Sequence, residues 1–147
     1  MINRILFFLG FILLQITTIA TAAPLPEVTV YKSPTCGCCS KWVSHLKQNG
    51  FRVNAIDVKD VVPYKIKNNV TQKLSSCHTA LVGGYVIEGH VPAKDILRLL
   101  KEKPAVKGLA APGMPMGSPG MEMGDKKDAY NVVSFDEKGN TKVFSSH

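Results

Sequence analysis

Three cysteines within four residues, Cys36, Cys38 and Cys39, stand where a run of β-branched and aromatic residues gives way to a stretch with apolar side chains at helical spacing. The first run, Val28-Thr29-Val30-Tyr31-Lys32, reads as a strand ending in the turn Ser33-Pro34-Thr35. Beyond the cysteines, Cys39, Trp42, Val43 and Leu46 give one apolar face to a helix from Cys38 to Asn49, and Asn49-Gly50 is a helix stop. Alternation from Phe51 to Val58 predicts a second strand. The segment is thereby held to a β-α-β unit with its cysteines at the helix N-terminus.

Downstream, Asp60 to Val70 is a weak helix pattern that Pro63 interrupts. Thr79–Val82 and Tyr85–Val91 flank Gly83-Gly84 as a β-hairpin. Pro92 opens a helix that runs to Lys103 with Ile96, Leu97, Leu99 and Leu100 as its apolar stripe, and Pro104 closes it. The order β-α-β-α-β-β-α is that of the thioredoxin fold, an α/β architecture with a mixed sheet flanked by helices. Residues 104–124 read as a Met/Pro/Gly-rich loop, and 130–145 as a hairpin extension with strands Tyr130–Phe135 and Thr141–Ser145.

Ahead of this domain, residues 1–22 carry Arg4 as their only charge, then an apolar run from Ile5 to Leu14, then small residues. This predicts a signal peptide cut after Ala22, leaving 23–147 as a single exported domain, periplasmic in a bacterial-type cell. The apolar run is short for a bilayer span, so no stable membrane span is expected after cleavage. Without Arg4 the charge falls from +7 to +6, 17 basic against 11 acidic residues. Its lysines are scattered and no basic patch with interleaved aromatics appears, which argues against nucleic acid as a partner.

Four cysteines in an exported chain would ordinarily make two structural disulfides. Here three crowd together and the fourth, Cys77, adjoins His78, an arrangement suited to metal or redox chemistry. Cys36 and Cys39 have C-x-x-C spacing at a helix N-terminus, where backbone N–H groups favour thiolate over thiol. If the site is redox-active, these two are its catalytic pair. Cys38 would scramble a working dithiol but suits a soft ion such as copper(I), which low-coordinate and bridging thiolates satisfy; the bland alternative is a small buried hydrophobe. Cys77 and His78 precede the Thr79 strand, a segment that faces the cysteine loop in thioredoxin-like folds, and both join the candidate ligands.

Met114, Met116, Met121 and Met123 are, with Met1, all the methionines of the chain, and they sit among prolines and glycines without helical or strand periodicity. Thioethers are soft ligands that survive where thiols oxidise, so these four are candidate metal ligands; the alternative is a loop anchored by adaptable side chains. His45 reads as a surface residue of the first helix, His90 as either a site neighbour or a strand end, and His147 carries no reading. Ser40 after Cys39 excludes the C-x-x-C-H of covalent haem attachment. A closed four-ligand zinc site would leave the methionines without a purpose.

The motifs V-Y-K-S-P-T-C-G-C-C with Trp42, C-H-T, E-G-H-V-P and G-M-P-M-G-S-P-G-M-E together resemble those of the CopG-type copper-resistance proteins, periplasmic members of a metal-binding family formerly of unknown function. The resemblance spans about Pro26 to Phe144. It implies a thioredoxin-like fold, a copper centre at Cys36, Cys38, Cys39 and Cys77, a role in copper redox interconversion, and partners among copper ions and other periplasmic copper-resistance proteins. A thiol-disulfide oxidoreductase built on Cys36 and Cys39 is the competing reading.

Overall fold

The structure, a computed structural model, describes residues 24–147. The signal-peptide segment and its cleavage point at Ala22 lie outside the described residues. Strand β1 (Val28–Lys32), helix α1 (Gly37–Gln48) and strand β2 (Val53–Asp57) form the β-α-β unit, with β1 and β2 parallel. Helix α2 (Val62–Lys67) and a single 3-10 turn (Gln72–Leu74) lead to the hairpin of β3 (Thr79–Val82) and β4 (Tyr85–Gly89), and β3 pairs antiparallel with β1. Helix α3 (Ala93–Glu102) follows, then β5 (Gly108–Ala111), β6 (Asn131–Phe135) and β7 (Thr141–Ser146).

All seven strands share one mixed sheet in the order β2-β1-β3-β4-β5-β6-β7. Strand alternation gives the sheet two apolar faces. Val28, Val30, Ala80, Val82, Ile87, Leu109 and Val132 point to the side covered by α1 and α3, where Trp42, Leu46, Ile96 and Leu99 are fully buried. Burying a leucine or isoleucine of this kind contributes about 1.5–3 kcal/mol. Val86, Ala110 and Phe135 point the other way, onto Val70 and Leu74. This is the thioredoxin-like α/β arrangement read from the sequence.

Three local readings change. Pro63 does not interrupt α2 but lies in its first turn, where a missing N–H costs nothing. Pro92 caps α3 instead of belonging to it, and Lys103 ends that helix in the left-handed conformation, its N–H bonded to the Leu99 carbonyl. Most consequential, the segment 104–124 is not loop throughout. Gly108–Ala111 is a fully buried strand, parallel to β4 and antiparallel to β6, which makes the C-terminal hairpin continuous with the main sheet.

Candidate metal centre

Helix α1 begins at the cysteines because Cys36 is its N-cap, with extended backbone and a sulfur that accepts the Cys39 N–H at 3.3 Å. Cys38 and Cys39 then occupy the first turn. Trp42, one turn on, is buried with its indole N–H donating to the Val91 carbonyl at 2.8 Å, which ties the helix to the segment between β4 and α3. Cys36 and Cys39 are joined as a disulfide with Cα atoms 5.3 Å apart, and Cys38 and Cys77 are free thiols.

Cys77 crosses the site from the start of β3. Its sulfur lies 3.9 Å from that of Cys38, which is in turn 3.5 Å from that of Cys36. The four sulfurs all lie within 4.8 Å of one another, and so do the ligand atoms of Cys77, His78 and His90. Cys77 Sγ, 3.3 Å from His78 Nδ1 and 2.9 Å from His90 Nε2, belongs to both groups. The sequence left His90 undecided; the fold brings it to the site. Counting outward from the Gly83-Gly84 turn, Val82 faces Tyr85 and Thr79 faces Glu88, so two steps further Cys77 falls opposite His90.

Both histidines are fully buried. Burial, reinforced by neighbouring His90 and Lys65, holds His78 well below the ordinary imidazole range, and burial lowers His90 against the pull of the Pro119 carbonyl. Neutral imidazoles keep a lone pair. His90 Nδ1 lies 2.8 Å from the Pro119 carbonyl, which can only accept, so the proton sits on Nδ1 and the Nε2 lone pair faces Cys77. His78 stands between Trp42 and His90, ring centroids 4.3 and 5.0 Å away. Its Nε2 is, among the described residues, the buried side-chain polar atom with no hydrogen-bond partner.

The Met segment is fastened at both ends around this site. Gly113 donates to the Ser75 carbonyl at 3.2 Å, and its own carbonyl accepts the Ser76 hydroxyl, beside Cys77. Pro119 meets His90, and Gly120, with φ of +89°, presses on the first turn of α1: a Cβ there would lie 2.7 Å from the Cys38 carbonyl oxygen and 2.9 Å from the Trp42 nitrogen. Met114 and Met123 are exposed, and Met116 and Met121 partly buried, along this strap.

The other histidines serve the scaffold. His45 Nε2 accepts the Ala93 N–H at the start of α3, and His147 Nε2 bonds Asp95 at 2.8 Å while its ring stacks on Tyr130. Two clefts of about 460 and 470 Å³ lie at Gly84, Lys107 and Glu137 and at His45, Tyr130 and His147, and no cysteine lines either. Among the described residues no helix is long and apolar enough to cross a membrane. Soft sulfurs and two neutral imidazoles in one place fit a soft metal ion better than an organic substrate.

Residues 74–121 match a family described as a protein of unknown function, DUF411. The chain is similar to two solved structures of copper resistance protein CopG. Form 2 has a TM-score of 0.80 at 43% identity, with 85% of this chain and 99% of that one covered. Form 1 has a TM-score of 0.79 at 43% identity, with 84% and 98% covered. No curated protein sequence matches the chain.

Proposed function

The chain belongs to the copper resistance protein CopG family, and from that premise we propose that it is an exported, periplasmic copper(I)-binding protein that takes the ion as cargo in copper resistance. The observation that carries this reading is the convergence of four sulfurs, with Cys77 shared between them and two buried neutral histidines. Once the Cys36–Cys39 disulfide is reduced, Cys36, Cys38, Cys39 and Cys77 hold copper(I) as thiolates, with Cys77 as the bridge between two ions. His78 and His90 supply nitrogen donors on its far side. The strap methionines Met114, Met116, Met121 and Met123 pass copper(I) in and out, since a thioether binds it without charge and releases it readily.

Copper redox interconversion deepens this reading. The Cys36–Cys39 disulfide is the product such chemistry leaves: two thiolates joining as a disulfide give up two electrons, which reduce two copper(II) ions to copper(I), and an external dithiol reductant must return the pair to thiolates before the next turn. The same disulfide also favours the second reading, in which the Cys36 thiolate attacks a substrate disulfide and Cys39 then displaces the reduced substrate. Cys38→Ser separates the two. Weakened copper(I) binding is expected from it under the copper reading, whereas the oxidoreductase reading expects intact disulfide reduction in Cys38→Ser and none in Cys36→Ser. Copper affinity unchanged in Cys38→Ser would remove the thiolate cluster.

A pH dependence follows from Cys77. Burial first, then the neighbouring Cys38, pushes its thiol up to about 12, so it keeps its proton through the neutral range and the ion must displace it. Apparent copper(I) affinity in the reduced protein should rise about tenfold per pH unit from this thiol alone. Chelator competition at about pH 6, about pH 7 and about pH 8 on the unaltered protein and on Cys77→Ser reads the difference in slope. Equal slopes would mean that Cys77 does not ligate.

A further inference from the structure

We propose that the buried Lys65–Glu88 pair is a positioning device for Cys77-His78, its carboxylate clamping the residues on both sides of that dipeptide; the inference rests on reading the two as metal ligands. Glu88, on β4, is fully buried. Its Oε1 accepts the Ser76 N–H at 2.7 Å together with the Lys65 ammonium, and its Oε2 accepts the Thr79 hydroxyl at 2.7 Å. Lys65, carried in from α2, also donates to Thr79 Oγ1 at 3.2 Å. Ser76 and Thr79 are the residues immediately before Cys77 and immediately after His78.

A buried ion pair is a poor way to gain stability, because desolvating both charges offsets most of their attraction and apolar residues of similar volume often do as well. What this pair supplies is a fixed point. Cys77 and His78 precede the first residue of β3, so the ladder alone does not hold them, apart from the Gly89 N–H on the His78 carbonyl at 3.1 Å. One bond from the Ser76 backbone N–H and one from the Thr79 hydroxyl tie both flanks to a single immobile carboxylate, and with them the Cys77 sulfur that must meet Cys38 and His90 at once. Outer partners of this kind commonly set ligand geometry. Gly89 completes the fit: any Cβ there would run into the Ser76 side chain.

The test compares two double variants by two readouts. Lys65→Met with Glu88→Gln removes both charges but keeps the clamp, since the amide can accept from Ser76 and donate to Thr79. Lys65→Met with Glu88→Met removes it. With both folded by circular dichroism, the methionine pair should bind copper(I) about tenfold or more weaker, and in reduced metal-free protein its Cys77 should alkylate faster with iodoacetamide. The glutamine pair should restore both values toward those of the unaltered protein. Unchanged affinity and unchanged Cys77 alkylation in the folded methionine pair would overturn the proposal. Should that pair not fold, Thr79→Val, which cuts one arm isosterically, is read the same way, and no change in either quantity again overturns it. Alkylation rates that follow the clamp in a chain that holds no copper would sustain the positioning role while sinking the metal reading.

Discussion

Cys77→Ser should lower copper(I) affinity more than any other single substitution at the site. The reason is geometric: Cys77 Sγ is the one atom common to the group of four sulfurs and to the group with His78 and His90, so its loss breaks both. Removing Cys38 leaves the Cys77-histidine group intact, and removing His90 leaves the sulfurs. Losing an outer partner of a metal ligand typically costs about 10–100-fold in affinity, and losing the shared ligand itself should exceed that. A serine hydroxyl is a hard, protonated donor at neutral pH and cannot stand in for a thiolate. The fold should tolerate the change, because Cys77 is only partly buried and its neighbours Ser76 and Thr79 keep their bonds to Glu88. Chelator competition on Cys77→Ser, Cys38→Ser and His90→Ala measures the ranking. A Cys77→Ser protein that binds as well as either of the others would refute the shared-ligand geometry.

The second large effect is expected from Gly120→Ala, which should release the strap without removing a ligand side chain. The residue holds φ of +89°, a conformation that costs a side chain about 1–3 kcal/mol. Its Cβ would also collide with backbone atoms of Cys38 and Trp42, which cannot rotate away as a side chain could, and would crowd His90 Nδ1 at 3.3 Å. The first turn of α1 or the strap must move. Gly124→Ala is the control, since φ there is +63° with nothing within 4 Å of the added carbon, so it carries the conformational cost alone. Gly120→Ala should therefore melt lower than Gly124→Ala, cleave faster with protease between residues 112 and 129, and bind copper(I) more weakly because His90 loses Pro119. Equal melting and equal cleavage in the two variants would show that the strap does not depend on this contact.

Much of the architecture was legible in the chain because the signals were local. β1 and β3 match their expected spans residue for residue, since β-branched runs bounded by a turn leave little choice. Strand β5 was hidden for a physical reason. Gly-Leu-Ala-Ala has low strand propensity and no alternation, because all four residues are buried, and Gly108 is needed where its neighbour's backbone comes too close for a Cβ. The three clustered cysteines announced themselves by spacing.

His90 did not, yet the two-glycine turn fixes the hairpin register, and extending that register would have placed it across from Cys77. Glu88 and Lys65 were beyond reach from the sequence. A glutamate in a strand reads as a solvent-facing residue, and its pairing with a lysine 23 positions earlier exists only after α2 has packed against the hairpin. The methionines were conspicuous by composition. The strap's attachments at Gly113, Pro119 and Gly120, by contrast, are backbone contacts that side-chain patterns do not encode.

Metal content per chain distinguishes a copper-holding thiolate cluster from four cysteines that hold none. Protein lacking residues 1–22 is reduced, loaded anaerobically with copper(I), freed of excess ion and assayed by elemental analysis, with zinc loading and a Cys36/Cys38/Cys39→Ser triple variant in parallel. More than one copper should be retained per chain and lost in the triple variant, with little zinc held under the same conditions. Copper retained equally by the triple variant, or not retained at all, would contradict a thiolate copper centre.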